Sequence, residues 1–420
     1  MRMDSGALAA AGERGMVIAL GLALLGAAWA LDPGAEAAFD APKRLIVLSA
    51  LTLAGIGWLL QPRSAIDRWP WQARAIVALM LLALGAVAVS AWCSPQPTLA
   101  WDALRVCLLY ALWLVLGASA VVARWRRPLL LIALLAVASN ALMSLVQAAG
   151  WPLPITVSQL GGRFPTGALL GNEGYVALAC ALLGAAAFAH ALATRRWRSL
   201  GWLALAITTI AVNRQLTSAL ALGGAMALVL AIHLRGRPQR VWLLALLLAG
   251  ALGSGWIATR AEAPTVERVQ QLTTYRLAGW AAAVEMIQAR PWNGFGLGSY
   301  ARESQRMRLA AELRWQQRLL PPPTATTFAY AHQEYLQLAA ESGLPALACV
   351  LAALALLLWG LCRQARAAAQ AEALQLVGVL SAGAIAALAW FPLQIPLTAG
   401  LLLLAAGRGV RLLIDQESAR

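Results

Sequence analysis

The 420-residue sequence contains few charged side chains, a single lysine and three histidines. Charged residues make up 12% of the chain and hydrophobic residues 61%, whereas a soluble domain carries about 25% charged residues. A chain of this composition cannot cover a globular surface with polar groups in water. The shortage of charge therefore excludes an ordinary soluble enzyme.

The motifs of several common catalytic sites are also missing. The five cysteines form no CxxC pair and mostly lie in or beside apolar runs, which argues against a metal site or a disulfide framework. The sequence has no P-loop, no catalytic-triad motif and no His/Cys/Asp cluster with metal-ligand spacing. The DxD-type carboxylate cluster of metal-dependent sugar transferases is absent as well. We therefore expect chemistry that needs neither a metal ion nor another cofactor.

Apolar runs of about 20 residues recur along the chain, and this is the length that an α-helix needs to cross a bilayer. Short segments of alternating polarity, which are typical of transmembrane barrels, are not seen. The runs predict an all-α polytopic membrane protein. The twelve predicted spans are 16–31, 45–60, 74–92, 103–123, 128–149, 172–193, 199–212, 216–234, 241–258, 340–361, 373–390 and 395–413.

The net charge of +15 comes almost entirely from arginine. In a soluble chain it would suggest a nucleic-acid partner, but arginines in short loops between membrane spans are topology signals. These arginines all fall on one predicted side of the membrane, so that side and both termini are expected to be cytoplasmic. Representative positions are Arg14, Arg124, Arg196, Arg237 and Arg408. We expect no nucleic-acid partner.

The long segment between the ninth and tenth spans is then extracytoplasmic. The sequence predicts three parts: residues 1–258 with nine spans, a loop domain at residues 259–339, and residues 340–420 with the last three spans and a short cytoplasmic tail. Long loops cross the membrane largely regardless of charge, so the arginines of this loop do not contradict the topology.

The predicted loop domain contains two helical patterns. Leu272–Ala289 has helical periodicity and ends before Pro291, and Arg302–Arg318 is a basic amphipathic pattern typical of a helix at the headgroup surface. Between them, three glycines permit close approach of the backbone to another group. They are Gly294, Gly296 and Gly298.

His332 is the sole histidine on the predicted outer side. It follows a proline break at residues 321–323 and precedes a helical pattern. A neutral imidazole can accept a proton near neutral pH, which makes this residue a candidate general base. The alternative is a histidine at the start of a helix that faces water or lipid headgroups.

Three arginines lie on the same predicted side as His332. They are Arg163, Arg214 and Arg276. A guanidinium group binds phosphate oxygens in a bidentate manner, although a lone arginine at a membrane edge commonly extends towards the headgroups. Several guanidinium groups and one imidazole on one face favour a diphosphate-linked substrate over a neutral one.

Other polar residues near this face are weaker candidates for the site. Asn172 begins the sixth span. Asp102 and Arg105 are one helical turn apart and are expected to pair with each other. Glu341 is as consistent with a structural role as with a functional one.

Two motifs and the span layout resemble the O-antigen ligase and polymerase superfamily of bacterial membrane glycosyltransferases. Residues 276–300, R-L-A-G-W-A-A-A-V-E-M-I-Q-A-R-P-W-N-G-F-G-L-G-S-Y, are similar to the family pattern R…W…MI…P-x-x-G-x-G-x-G-x-[YF]. His332–Gly343, H-Q-E-Y-L-Q-L-A-A-E-S-G, is similar to H-N-x-x-L-x-x-x-x-E-x-G, with Gln333 in place of asparagine. The third feature is a twelve-span layout with a large outer loop late in the chain.

Two further family patterns are matched only in part. The family pattern L-T-x-S-R corresponds here to R-Q-L-T-S-A, in which Arg214 precedes the serine. The pattern G-R-x-x-G-x-x-x-N-P-N-H corresponds to G-R-F-P-T-G-A-L-L-G-N-E-G-Y, which retains Arg163 and Asn172.

The resemblance implies a GT-C-like fold and an activity. It implies transfer of a glycan from an undecaprenyl diphosphate carrier at the periplasmic face of the bacterial inner membrane. The acceptor differs within the superfamily: ligases use the lipid A–core sugar, polymerases use the growing glycan, and protein O-oligosaccharyltransferases use a Ser or Thr of pilin. We expect an O-antigen ligase, since the protein transferases tend to carry extra sequence after the last spans and this sequence ends soon after Leu413.

The residues and the resemblance together suggest roles for individual side chains. His332, Arg214 and Arg276 are the expected catalytic residues, with His332 as base or as the group that orients the acceptor, and with the arginines as ligands of the leaving diphosphate. A single displacement would invert the anomeric centre. The expected substrate-binding residues are Arg163, Asn172, Arg302 and Arg306. The expected partners are the undecaprenyl-diphosphate-linked glycan, the lipid A–core acceptor and membrane lipids.

Two readings from other functional classes are a polytopic transporter or flippase and a scaffold without catalytic activity. Transporters commonly contain internal repeats and helices broken near the bilayer midplane. This sequence has no convincing repeat, and its polar candidates gather at one face.

Overall fold

The computed structural model describes residues 5–35, 37–61, 69–151, 166–234, 266–320, 328–368 and 371–417, and throughout these ranges the regular structure is helical without strands. The α-helices are α1 Ser5–Trp29, α2 Asp40–Leu59, α3 Trp71–Trp92, α4 Pro97–Gly117, α5 Ala120–Arg124, α6 Arg126–Ala148, α7 Glu173–Thr194, α8 Leu200–Val212, α9 Leu216–His233, α10 Val266–Ala289, α11 Tyr300–Trp315, α12 Glu334–Ala368, α13 Ala371–Ala386 and α14 Pro396–Glu417. The all-α prediction is confirmed.

Nine helices of the described residues are long and apolar enough to cross a membrane. Helices α8 and α13, at two further predicted spans, are shorter and apolar. The remaining predicted span, 241–258, lies outside the described residues. The chain is therefore a polytopic membrane protein.

Helix α7 lies at the centre of the bundle, because 72% of its most apolar 18-residue window is buried, against 22% for α4. Its surface consists largely of alanine and glycine, and small residues let neighbouring helices approach closely. A Cβ on Gly184 would lie 3.0 Å from the Cβ of Ala206 on α8. A Cβ on Gly378 of α13 would lie 3.0 Å from the carbonyl oxygen of Ala185. Close packing around α7 thus holds the bundle together.

The predicted candidate residues that the structure describes belong to one end of the bundle, which we call the site end. There the ring of Phe39, before α2, fits against Gly171, before α7. The ring of Tyr175, at the start of α7, meets Phe391 edge-on, with ring centroids 6.1 Å apart, in the turn between α13 and α14.

Arginines of several short loops gather at the opposite end and form ion pairs there. Arg124 bonds Glu13 at 2.7 Å, and Glu372 accepts from both Arg126 and Arg408. The predicted segregation of short-loop arginines therefore agrees with this arrangement.

Helices α10 and α11 pack on each other through a small apolar core formed by Ala278, Met286, Tyr300, Met307 and Ala311, among others. The predicted second loop helix, Arg302–Arg318, is observed as α11, but it ends at Trp315 because Gln316 adopts a left-handed backbone conformation with φ 52°. Helix α12 runs through the predicted domain boundary at residues 339–340 and is interrupted at Gly343.

Candidate functional site

The two sequence motifs that suggested a family pack directly on each other. The glycine-rich turn after α10 pairs with α12 around its interruption: the amide of Phe295 donates to the carbonyl of Ala340 at 3.1 Å, and the amide of Gly296 donates to that of Glu341 at 2.7 Å. The amide of Leu344 in turn donates to the carbonyl of Pro291 at 2.8 Å. These contacts make the two motifs one structural unit.

Glycine is required where the two motifs touch. Gly294 and Gly343 have φ of 60° and 84°, a conformation that residues with a Cβ rarely adopt. A Cβ on Gly294 would lie 2.5 Å from the carbonyl oxygen of Glu341, and a Cβ on Gly343 would lie 2.3 Å from that of Trp292. The group that the glycine turn approaches closely is therefore α12 itself.

Glu341 has a structural role in this unit. Its carboxylate is 4% exposed and accepts a hydrogen bond from the amide of Tyr300 at 3.0 Å. The phenol of Tyr300 donates to the carbonyl of Gly279 on α10 at 2.7 Å. Burial, together with the nearby Glu341 carboxylate, raises the pKa of Tyr300, so the phenol keeps its proton and its donor role. Glu341 thus fixes α11 and α10 against α12.

Two serines of α3 and the turn after it attach this unit to the membrane bundle. The Ser90 hydroxyl donates to the carbonyl of Glu341 at 2.7 Å, and the Ser94 hydroxyl donates to that of Phe295 at 2.6 Å. The unit formed by the two motifs is therefore connected to α3 by hydrogen bonds.

His332 lies just before α12 in a strained conformation that its neighbours stabilise. Its φ is 54°, which costs a residue with a Cβ about 1–2 kcal/mol. The amide of Ala331 donates to the Gln337 side chain at 3.0 Å, and the amide of Glu334 donates to the carbonyl of Ala387 at 2.9 Å. Because the chain is fixed on both sides of His332, the imidazole has a defined position.

Aromatic rings from two parts of the chain form a cluster beside the imidazole. The ring centroids of Trp390 and Phe391 lie 5.2 Å and 5.0 Å from that of His332. Phe391 also stacks on Tyr330 at 4.6 Å. No sequence pattern singled out these residues. The run W-F-P at the end of the predicted span 373–390 was the available signal, but no pattern linked it to His332.

Glu334 holds the turn that carries Trp390 and Phe391. Its two carboxylate oxygens accept from the amide of Leu393 and from the side chain of Gln394, each at 3.0 Å. The side chain is 8% exposed. Glu334 is therefore a positioning residue that sequence reasoning missed, since its partners lie about 60 residues away.

Asn172 acts as the N-cap of α7, because its side-chain oxygen accepts from the amide of Gly174 at 2.8 Å. A Cβ on Gly174 would lie 2.8 Å from the Trp390 ring. Asn172 therefore stabilises a helix start in contact with the aromatic cluster, and its oxygen is already used as a hydrogen-bond acceptor.

Arg214 lies in the tight turn between α8 and α9 at the site end. Its φ is 51°, and its amide donates to the carbonyl of Ala211 at 3.0 Å. Ala221, about two helical turns further along α9, belongs to the same buried cluster as Phe391. The side chain of Arg214 is exposed.

Arg276 lies on α10, one turn before Gly279. A Cβ on Gly279 would lie 3.6 Å from the carbonyl oxygen of Ala331, the residue before His332. The side chain of Arg276 is half-buried, and this burial lowers the pKa of its guanidinium. The structure thus brings the helix of Arg276 close to the chain that carries His332.

Arg302 and Arg306 lie on the exposed face of α11. Arg306 pairs with Glu303 at 2.6 Å, and Arg302 donates to the Gln96 side chain at 3.4 Å. With Leu309 they line an open surface groove of about 420 Å³. The predicted Arg163 lies outside the described residues.

Within the described ranges, no three His, Cys, Asp or Glu side chains form a group that could hold a metal ion. The predicted pair of Asp102 and Arg105 is observed, with 2.5 Å between Nη1 and Oδ1. The chemistry available at the site end is thus an imidazole in an aromatic cluster, exposed and half-buried guanidinium groups, and hydroxyl donors.

Comparison with known proteins gives one family. Residues 201–351 match the family model described as O-antigen ligase. The matched range includes Arg214, Arg276 and both packed motifs through Gly343. No curated protein sequence matches the chain. The family match supports the O-antigen ligase superfamily that the sequence motifs predicted.

Proposed function

Since the chain carries the O-antigen ligase superfamily match over residues 201–351, we propose that it transfers O-antigen glycan from undecaprenyl diphosphate to the lipid A–core oligosaccharide. The reaction takes place at the periplasmic face of the bacterial inner membrane. The observation that carries the proposal is the position of His332, which two packed family motifs and an aromatic cluster hold at one end of a membrane bundle.

In this mechanism, His332 is the general base. The imidazole accepts the proton of the acceptor sugar hydroxyl as the hydroxyl oxygen attacks the anomeric carbon of the donor. The new glycosidic C–O bond forms while the bond from the anomeric carbon to the diphosphate oxygen breaks, with inversion at that carbon. The leaving undecaprenyl diphosphate retains the electron pair, and the proton then leaves the imidazole to solvent. No metal ion or nucleotide takes part.

Arg214 and Arg276 stabilise the leaving diphosphate. Negative charge grows on the diphosphate oxygens as the bond breaks, and guanidinium donors already in place bind it more strongly in the transition state than in the ground state. Support comes from the exposed guanidinium of Arg214 at the site end and from the position of Arg276 on the helix that packs near Ala331.

Substrate binding extends to Arg163, Asn172, Arg302 and Arg306 in this proposal. The groove on α11 lined by Arg302, Arg306 and apolar side chains suits an acceptor with both phosphate and acyl groups. The site end faces the periplasm, residues 259–339 form the periplasmic loop domain, and the flanking parts 1–258 and 340–420 form the membrane bundle.

Transfer by the purified protein in detergent tests the proposal. The donor is a glycan on undecaprenyl diphosphate, and lipid A–core, free glycan and a pilin peptide are offered as separate acceptors without nucleotide or ion gradient. Glycan on lipid A–core supports the ligase. Extension of the free glycan or modification of the peptide would instead identify a polymerase or a protein transferase. Glycan transfer would be contradicted if the donor were consumed without a product on any acceptor. It would also be contradicted if the donor were not consumed at all.

A further inference from the structure

Arg44 is a guanidinium at the site end that the reaction proposed above does not use. It lies one turn into α2, where the buried Lys43 fixes the chain by donating to the carbonyls of Ala30 and Phe39 at 2.7 and 2.8 Å. Arg44 is exposed, and its Nη2 donates to the phenol oxygen of Tyr330 at 3.4 Å. A guanidinium from α2 therefore reaches the segment that precedes His332.

Aromatic contacts connect this guanidinium with the imidazole. Tyr330, which Arg44 contacts, stacks on Phe391 with ring centroids 4.6 Å apart. Phe391 in turn meets the His332 ring at 5.0 Å. Arg44 and His332 thus border the same aromatic cluster and are connected through Tyr330 and Phe391.

The guanidinium of Arg44 is not neutralised by a close ion pair among the described residues. Eight other arginines of this part of the chain pair with carboxylates within 4 Å: Arg105, Arg124, Arg126, Arg306, Arg308, Arg314, Arg408 and Arg411. The one hydrogen bond of Arg44 to Tyr330 is long and goes to a neutral phenol. Most of its five N–H donors therefore remain available to a ligand.

Two further phenols and one carboxylate lie within electrostatic reach of the available guanidinium. Arg44 interacts with Tyr110 and Tyr175, and each of these phenols also interacts with Tyr330 and with the carboxylate of Asp40, one turn before Arg44 on α2. Guanidinium and phenol groups are both hydrogen-bond donors at neutral pH. A ligand that satisfies such a set presents several negatively charged oxygens, as a phosphate does.

We propose that Arg44, with the phenols of Tyr110, Tyr175 and Tyr330, forms a phosphate-binding subsite that holds a phosphate of the lipid-linked substrate beside His332. The assignment of the ligand to the substrate rests on the proposed function. A phospholipid headgroup carries the same chemistry, so the experiment has to separate the two sources of phosphate.

Binding of undecaprenyl diphosphate, without glycan, tests the subsite directly. Native mass spectrometry on purified protein in a sugar detergent would compare wild type with Arg44→Ala, Arg44→Lys and Tyr330→Phe. We expect Arg44→Ala to weaken binding about tenfold or more, because a hydrogen-bonded charged group is lost. Arg44→Lys should recover part of the affinity, since lysine keeps the charge without the planar fork.

The matched control is Arg105→Gln, which removes an exposed arginine paired with Asp102 on α4 at the same end. It should bind the carrier as wild type does. Unchanged affinity of Arg44→Ala would overturn the subsite. Phosphatidylglycerol is the second probe. If Arg44→Ala loses bound phosphatidylglycerol but still binds undecaprenyl diphosphate, the subsite is also overturned, because Arg44 would then bind a phospholipid headgroup.

A misfolded variant would not leave the question open. If Arg44→Ala is not monodisperse, Tyr330→Phe is the variant that tests the subsite, because it removes one phenol and keeps the ring stack. It should weaken binding of undecaprenyl diphosphate about two- to fivefold. Unchanged binding would count against the subsite. The readout also separates the two proposals. Absence of glycan transfer by wild type would contradict the proposed function, whereas the carrier-binding result bears on Arg44 alone.

Discussion

Gly343 and Trp292 meet so closely that a Cβ on Gly343 would lie 2.3 Å from the carbonyl oxygen of Trp292. This contact joins the glycine-rich turn to the interruption of α12, eleven residues after His332. The backbone of Gly343 has φ 84° and ψ 164°, which is accessible almost only to glycine. The packing of the two motifs therefore depends on the absence of one side chain.

Replacement of Gly343 by alanine should separate the two motifs. The strained backbone and the clash are each enough to lower the free energy of unfolding, together by roughly 2–4 kcal/mol, and transfer activity should fall with the displacement of α12. The measurement is the unfolding temperature in detergent together with the transfer rate. Gly85→Ala is the control, because a Cβ there would meet nothing within 4 Å. Equal behaviour of the two variants would contradict the proposed packing.

Replacement of Arg214 by glycine should separate stability from activity. Arg214 has φ 51° in the turn between α8 and α9, and glycine would relieve about 1 kcal/mol of backbone strain. We expect an unchanged or raised unfolding temperature but a loss of transfer of at least 100-fold, because the diphosphate ligand is gone. Arg214→Lys should recover only part of the rate. Transfer close to wild type in Arg214→Gly would remove Arg214 from the catalytic residues.

His332 should control the pH dependence of transfer. If the imidazole is the base, the wild-type rate should rise with pH as the imidazole loses its proton. His332→Ala should lose about 100-fold to 10,000-fold in rate, lack this rise, and still bind undecaprenyl diphosphate.

His332→Gln separates proton transfer from orientation of the acceptor, because glutamine hydrogen-bonds without accepting a proton at neutral pH. Rates near wild type for this variant would show that His332 orients the acceptor and is not the base.

Glu334 should matter through the turn that it holds. Glu334→Ala removes the acceptor of both the Leu393 amide and the Gln394 side chain, and the loss of two part-buried hydrogen bonds costs roughly 1–3 kcal/mol. The unfolding temperature should fall, and the transfer rate should fall with it because contact of the aromatic cluster with His332 loosens. Glu334→Gln should be milder since it keeps one acceptor oxygen. The control is Asp102→Asn, which breaks an exposed ion pair and should change the free energy of unfolding by less than about 1 kcal/mol. If the control lowers the unfolding temperature as much as Glu334→Ala does, Glu334 has no specific role.

The proposed topology places Gln305 outside the cytoplasm and Arg198 inside it. In a variant without the five native cysteines, which include the exposed Cys93, Gln305→Cys should react with a membrane-impermeant maleimide in intact spheroplasts. Arg198→Cys, in the exposed turn between α7 and α8 at the end opposite the site, should react only after permeabilisation. The reverse labelling pattern would place the site end in the cytoplasm and contradict the periplasmic assignment.

The sequence by itself determined the membrane architecture. Apolar length and the scarcity of charge fix where helices form, because backbone groups in a bilayer must bond within the helix. The same local chemistry marked the glycine turn of Gly294, Gly296 and Gly298, since closely spaced glycines are a signal that needs no tertiary information. The motifs around Arg276 and His332 pointed to a family that the match over residues 201–351 supports.

Only the tertiary structure decided what surrounds His332. Trp390 and Phe391 lie about 60 residues further along the chain, and Glu334 bonds the turn that carries them. Such contacts form when helices close a bundle, and no periodicity in a single sequence encodes which helix ends meet. For the same reason no sequence pattern linked Arg44 to Tyr330, and only the fold brought the two side chains into contact.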